Sequence, residues 1–151
     1  MRSAEKVDIV VAATSDRCLA TTLLLLCIAA IATAAWLQPD SRGYGTHTQL
    51  HLLPCAFKTI TGLPCPACGL TTSMAYMARA NVIGAFNANP FGIIAFLIVA
   101  LLAFFSTQSL LRNRPVTPML KRFFNNKVFA GIVICFIVSW FFNLMRCLGS
   151  V

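Results

Sequence analysis

Acidic side chains are almost missing from this chain. There are four in 151 residues, Glu5, Asp8, Asp16 and Asp40, and none from Ser41 to Val151. That absence excludes paired-carboxylate acid–base chemistry in the last two-thirds of the sequence. It also excludes a carboxylate-rich Ca²⁺ or Mg²⁺ cage there. Charge of either sign is scarce, at 11% of residues, whereas an ordinary soluble domain has about 25%. There is no internal repeat, low-complexity linker or strand alternation. No Ser/His/Asp arrangement, phosphate-cradling Gly loop, dinucleotide fingerprint or HExxH motif occurs.

What the chain has instead is long apolar runs, with 58% of residues hydrophobic. Residues 18–36, 91–111 and 128–146 each supply close to the ~20 apolar positions that cross ~30 Å of hydrocarbon as a helix. The expected fold is therefore all-α, an integral membrane protein with three transmembrane helices, because a backbone in lipid must satisfy its own hydrogen bonds. The first run also admits a second reading, a cleaved signal peptide with Leu19–Ala30 as its apolar core and Ala32-Thr33-Ala34 as its cleavage site. Against that reading stand the 17 residues before it, which carry three acids.

The formal charge of +8 comes from basic residues that flank the apolar runs, so it reads as a topology signal and nucleic acid is not an expected partner. Arg2, Lys6, Arg17, Arg112, Arg114, Lys121, Arg122 and Lys127 fall on one side of a three-span arrangement; Arg42, Lys58, Arg79 and Arg146 fall on the other. The richer side is expected to be cytoplasmic. Residues 1–17 are then a cytoplasmic N-terminal segment, and 112–127 a basic cytoplasmic loop kept from continuing the helix by Pro115 and Pro118. Residues 37–90 are an external Cys-rich loop followed by a short re-entrant or interfacial helix within 70–87, where no apolar stripe at helical spacing is visible. Asn89 followed by Pro90 is a helix start: Asn caps, and Pro fits the first turn.

The external segment holds the chemistry. Cys65-Pro66-Ala67-Cys68-Gly69 puts two thiols two residues apart, with Cys55 within loop reach, and Gly62, Pro64, Pro66 and Gly69 shape the loop. Three chemistries fit. A zinc site would use Cys55, Cys65 and Cys68 with His51, or alternatively His47, as fourth ligand. A redox site would use Cys65 and Cys68 as the reactive pair and Cys55 as exchange partner. A helix starting near Gly69 would then point its positive end at the pair and favour the thiolate. A structural disulfide from Cys55 to Cys65 or Cys68 would stabilise the loop by about 3 kcal/mol, but would leave one thiol over. Cys18, Cys27 and Cys135 lie in apolar runs and read as packing residues. Cys147 is a candidate partner for a leftover thiol. Asn143 and Arg146 stand one turn apart, with Arg146 expected to snorkel to the interface; the alternative is a pair that faces the Cys segment and orients a thiolate or anion.

The pattern Cys55-x9-Cys65-Pro66-Ala67-Cys68-Gly69-Leu70-Thr71, followed by Asn89-Pro90 opening a membrane helix, resembles a small bacterial membrane family catalogued as domain of unknown function 2752. The resemblance runs from residue 45 to residue 111. It implies the bacterial inner membrane, a multi-pass architecture and a thiol site, and supplies no reaction. The family pattern has Arg after Gly-Leu-Thr, where this chain has Thr72, and often Gly-Asp where this chain has Ala80-Asn81. The Cys-Pro-x-Cys-Gly stretch also resembles one knuckle of a zinc ribbon, and the pair of thioredoxin-like and quinone-linked disulfide enzymes. The expected partners are the lipid bilayer and, if the Cys loop is only a folded knob on a non-enzymatic subunit, a membrane or extracytoplasmic protein.

Overall fold

The structure, a computed structural model, describes residues 2–149, with side chains from Thr14 onward. The described residues form seven α-helices and no strand. They are α1 (Arg2–Trp36), α2 (Ala56–Thr61), α3 (Leu70–Met77), α4 (Val82–Ala88), α5 (Pro90–Arg112), α6 (Val116–Phe123) and α7 (Asn126–Gly149). A 3₁₀ turn covers Thr46–Leu50. Thr14–Trp36, Pro90–Arg112 and Asn126–Gly149 are long and apolar enough to cross a membrane. This is the sequence expectation of a three-span, all-helical, multi-pass membrane protein, with α1 beginning well before its apolar run.

Long-range hydrogen bonds define two ends. At one, Arg17 donates to Asn113 Oδ1 at 2.7 Å, and Thr117 donates to Asp16. These tie the start of the first span to the loop after α5. At the other end, the last turn of α1 accepts from Arg79, and the C-terminal half of α7 bonds to Pro64, Asn87 and the start of α5 through Trp140, Arg146 and Ser139. Thus α1 and α7 run parallel, and α5 runs against them.

Each end has a local cause. Asn89 opens α5: its side chain accepts from the Phe91 amide at 3.0 Å, and Pro90 occupies the first turn, where no N–H is missed. Asn113 closes α5 in the left-handed conformation (φ 50°), and Ser109 Oγ donates to Arg114 O at 2.6 Å. Pro115 and Pro118 do keep α5 from continuing. They do not keep the loop from being helical, because both fall at or before the first turn of α6, where an amide has no partner to lose.

The segment 70–88 is two short helices instead of one. Ala78–Asn81 turn between them, with Ala80 at φ 56° and Asn81 Oδ1 accepting from the Gly84 amide at 2.8 Å to start α4. The pair packs by small and polar residues: Thr72, Ser73, Ala75, Ala85 and Ala88 are buried, while Val82, Ile83 and Phe86 are exposed. Gly92 makes the contact of α3 with α5 possible, since a Cβ there would collide with the Ser73 side chain. Arg79, just past α3, donates to Ala35 O at 2.9 Å and reaches Ala34 O at 3.4 Å. It caps the C-terminal carbonyls of α1, which has no basic residue in its own last turn.

Candidate metal centre

Two turns and two helix starts bring the thiols together. Pro66 pre-sets the first central position of a turn that closes with the Cys68 amide donating to Cys65 O at 3.0 Å. Gly69 follows at φ 83° and precedes α3. A Cβ at Gly69 would collide with Ala88 O and lie 2.7 Å from Gly43 O, so three chain segments meet here because this residue has no side chain. Cys55 comes from the other side as the residue before α2, which Gly62 ends in the left-handed conformation (φ 73°).

The fold also anchors this loop from behind. Pro64 is buried, and its carbonyl accepts from the Trp140 indole at 3.1 Å. The Cys68 carbonyl accepts from Asn89 Nδ2 at 2.9 Å. Asn89 is fully buried, and its Oδ1 also accepts from Ser139 Oγ at 2.8 Å. One asparagine thereby ties the thiol turn, the start of α5 and the side of α7.

The result is a cluster in which the sulfurs of Cys55, Cys65 and Cys68 all lie within 4.8 Å of one another. All three are half-buried free thiols, and together they can hold a metal ion. They line a cavity of about 430 Å³ with Arg42, Tyr44, His47, Lys58 and Thr72 among its other walls. No histidine belongs to the cluster. His47 lines the cavity, with Nε2 3.3 Å from Leu53 O, whereas His51 is exposed in the left-handed conformation after the 3₁₀ turn and does not line it.

The thiols are electrostatically unequal. Burial, and then the neighbouring Cys65 thiol, push the Cys68 thiol up to about 12. The expectation that the start of α3 favours a thiolate on this pair therefore fails at Cys68: desolvation outweighs the nearby amides. Cys55 is held below its ordinary value, chiefly by the Lys58 backbone amide, although no formal capping hydrogen bond forms. The thiolate-favouring helix start is that of α2, which the sequence reading missed; Cys-x-x-Lys gives no recognised capping signal.

Basic side chains surround the cluster without entering it. Lys58 Nζ sits 3.2 Å above the Tyr44 ring, and Arg42 pairs with Asp40 at 2.7 Å. That pairing holds the Asp40 carboxyl below its usual range. Thr72, where the resemblance leads one to look for Arg, is buried and shares a 2.8 Å hydrogen bond with Thr46 Oγ1. Cys18 and Cys135 are exposed on the spans and Cys27 is buried within α1; none of them joins the cluster.

Comparison with curated proteins and with solved structures finds no match. Three helices long and apolar enough to cross a membrane mark the chain as a multi-pass membrane protein, and its residues 55–103, from the first thiol of the cluster into α5, match the family model described as a protein of unknown function (DUF2752).

Proposed function

We propose that Cys55, Cys65 and Cys68 are three ligands of a zinc site on the external face of a bacterial inner-membrane protein whose amino terminus is cytoplasmic. The observation that carries this reading is the convergence of three sulfurs from two separate segments. A disulfide consumes two thiols and gives the third no reason to be there. A tetrahedral thiolate site uses all three and leaves one position open. His47 is the histidine on the cavity wall, so the fourth ligand falls to it ahead of His51. If His47 stays away, the open position faces a cavity large enough for a small substrate.

Zinc suits the donor set, because soft thiolates select it over hard cations and the segment after Asp40 supplies no carboxylate. Asn89 and the turn amides would act as the supporting shell that fixes the sulfurs. The excess of Lys and Arg on the residue 2–17 and 112–127 side supports the inward orientation of the amino terminus. The grip of Arg79 on the Ala34 and Ala35 carbonyls supports retention of α1 in the mature chain.

The test measures zinc per chain on detergent-purified protein, alongside thiol trapping with a mass-shifting maleimide before and after chelation. About one zinc per chain, with three thiols that become reactive only after chelation, is the expected result. A metal-free protein with a Cys65–Cys68 disulfide that reduces and re-forms would overturn it in favour of thiol exchange. A reduction-resistant bridge from Cys55 would leave a structural loop. His47→Ala against His51→Ala then decides the fourth ligand by zinc retention.

A further inference from the structure

On the far side of Cys68 and Lys58 lies a second, open cleft of about 650 Å³, bounded by Arg42, Tyr44, Lys58, Asn87, Asn143 and Arg146 with the end of α7. Three cations converge on it. Arg42 already has a carboxylate, Asp40. Among the described residues Lys58 and Arg146 have none: Lys58 rests on the Tyr44 ring, and Arg146 donates to Asn87 O at 2.5 Å and lies over Phe142. No Asp or Glu follows Asp40 in the sequence, so no other carboxylate side chain from that stretch can offset them. Like charges held together at the edge of a low-dielectric region repel unless an anion joins them. A second observation points the same way: the Asn143 amide nitrogen is buried and has no hydrogen-bond partner. A buried donor left unmade is costly, and an acceptor in the cleft would relieve it after a turn of the amide.

The geometry points to a binding site for a phosphate group, formed by Lys58, Arg146, Arg42 and Asn143 and adjoining the thiol cluster, with Cys68, Arg42, Tyr44 and Lys58 lining both cavities. Two arginines and a lysine supply forked and point donors of the kind that hold phosphate oxygens. Arg146 stands 6 residues beyond Trp140 near the C-terminal end of α7, a helix long and apolar enough to cross a membrane, so a lipid phosphodiester is one source of such a group. The shared chemistry has two sources, an anionic phospholipid headgroup or free phosphate.

The full chain is placed in nanodiscs of phosphatidylcholine containing one-fifth phosphatidylglycerol, delipidated with detergent, and assayed for retained phosphatidylglycerol. A parallel detergent sample is titrated with inorganic phosphate. The expected result is about one retained anionic lipid, or saturable phosphate binding, falling at least tenfold in Lys58→Gln/Arg146→Gln. Asn143→Asp, which puts a negative charge beside the cleft without touching the cations, should fall likewise. The pair Arg112→Gln/Lys121→Gln at the opposite end should leave binding unchanged. Phosphate that displaces the lipid identifies a site open to the soluble anion; lipid that resists excess phosphate identifies the headgroup. Binding unaltered by both cleft variants, a loss matched by the opposite-end pair, or no binding of either probe would overturn the site. Zinc content is measured in the same samples, so failure of this site is distinguishable from failure of the metal centre.

Discussion

Asn89 is the residue whose removal should be felt furthest. Replacing it with Ala deletes three hydrogen bonds at once: those Oδ1 accepts from the Phe91 amide and from Ser139 Oγ, and the one Nδ2 donates to the Cys68 carbonyl. Losing an N-cap costs about 0.5–2 kcal/mol. The low end applies, because the Phe91 amide keeps Ser139 Oγ as a second acceptor at 3.0 Å. The Cys68 carbonyl loses its amide donor in a part-buried setting, at about 1–3 kcal/mol. The total is about 1.5–3.5 kcal/mol, a large share of the 5–15 kcal/mol that holds a typical domain. Asn89→Asp separates the parts. It retains the acceptor for Phe91 and Ser139 but turns an oxygen toward the Cys68 carbonyl. Because Asn89 is fully buried, the new carboxylate is desolvated against that carbonyl. Denaturation in mixed micelles should therefore show a loss for both variants, with the Asp loss shrinking as pH falls and the carboxyl is protonated, and both should release zinc more readily than wild type. An Asn89→Ala protein within 0.5 kcal/mol of wild type, with unchanged metal retention, would refute the idea that this side chain ties thiol turn to spans.

Three further outcomes follow from single residues. Gly69→Ala should cost at least ~2 kcal/mol, since left-handed strain alone is about 1–2 kcal/mol and the new methyl meets the Ala88 and Gly43 carbonyls; zinc content of the purified variant is the check. Ala80→Gly should stabilise by about 1 kcal/mol, because it removes left-handed strain at φ 56°; an unchanged denaturation midpoint would mean that the turn is not held as described. In metal-free protein, maleimide should label Cys55 first and Cys68 last, with Cys68 speeding as pH climbs toward about 12. The Cys68 thiol, raised in the fold, contributes stability that is present below the ordinary thiol value and is lost as pH rises through about 12. A metal-free fold that gained stability between pH 9 and 12 would contradict it.

The parts of the fold that depend on neighbours in sequence were readable before the structure. Three apolar runs are long because the bilayer is thick, and the start of α5 is written in two adjacent residues, Asn89 and Pro90. The hairpin of α3 and α4 was not readable as two helices, and the cause is its inverted packing. Its inward residues are Thr72, Ser73, Ala75, Ala85 and Ala88, whereas the large apolar side chains Val82, Ile83 and Phe86 face outward. A periodicity search for a buried stripe of large residues has nothing to find in such a segment. The cap on α1 was invisible for another reason: Arg79 stands 44 residues from the carbonyl it holds. As a charge count it was a topology marker, and only the fold makes it a helix terminus.

At the candidate site, charge and backbone roles fall to residues other than those at which the resemblance leads one to look. Thr72 supplies no cation beside the thiols; it is spent on a buried hydroxyl pair with Thr46, which in turn accepts from the Asp40 amide. Arg42 and Lys58, from the preceding loop and from α2, bring positive charge to the same cavity wall. At the hairpin turn, Asn81 performs the capping that an Asp would perform, so the helix start survives without a carboxylate. Ala80 fills a left-handed position that Gly would occupy without strain. The two departures thus differ in kind. At Asn81 the replacement keeps the hydrogen bond, and at Ala80 it keeps the turn at an energetic cost. Neither touches the sulfurs. The thiol cluster depends on Pro66, Gly69 and Asn89, and all three stand where the local backbone needs them.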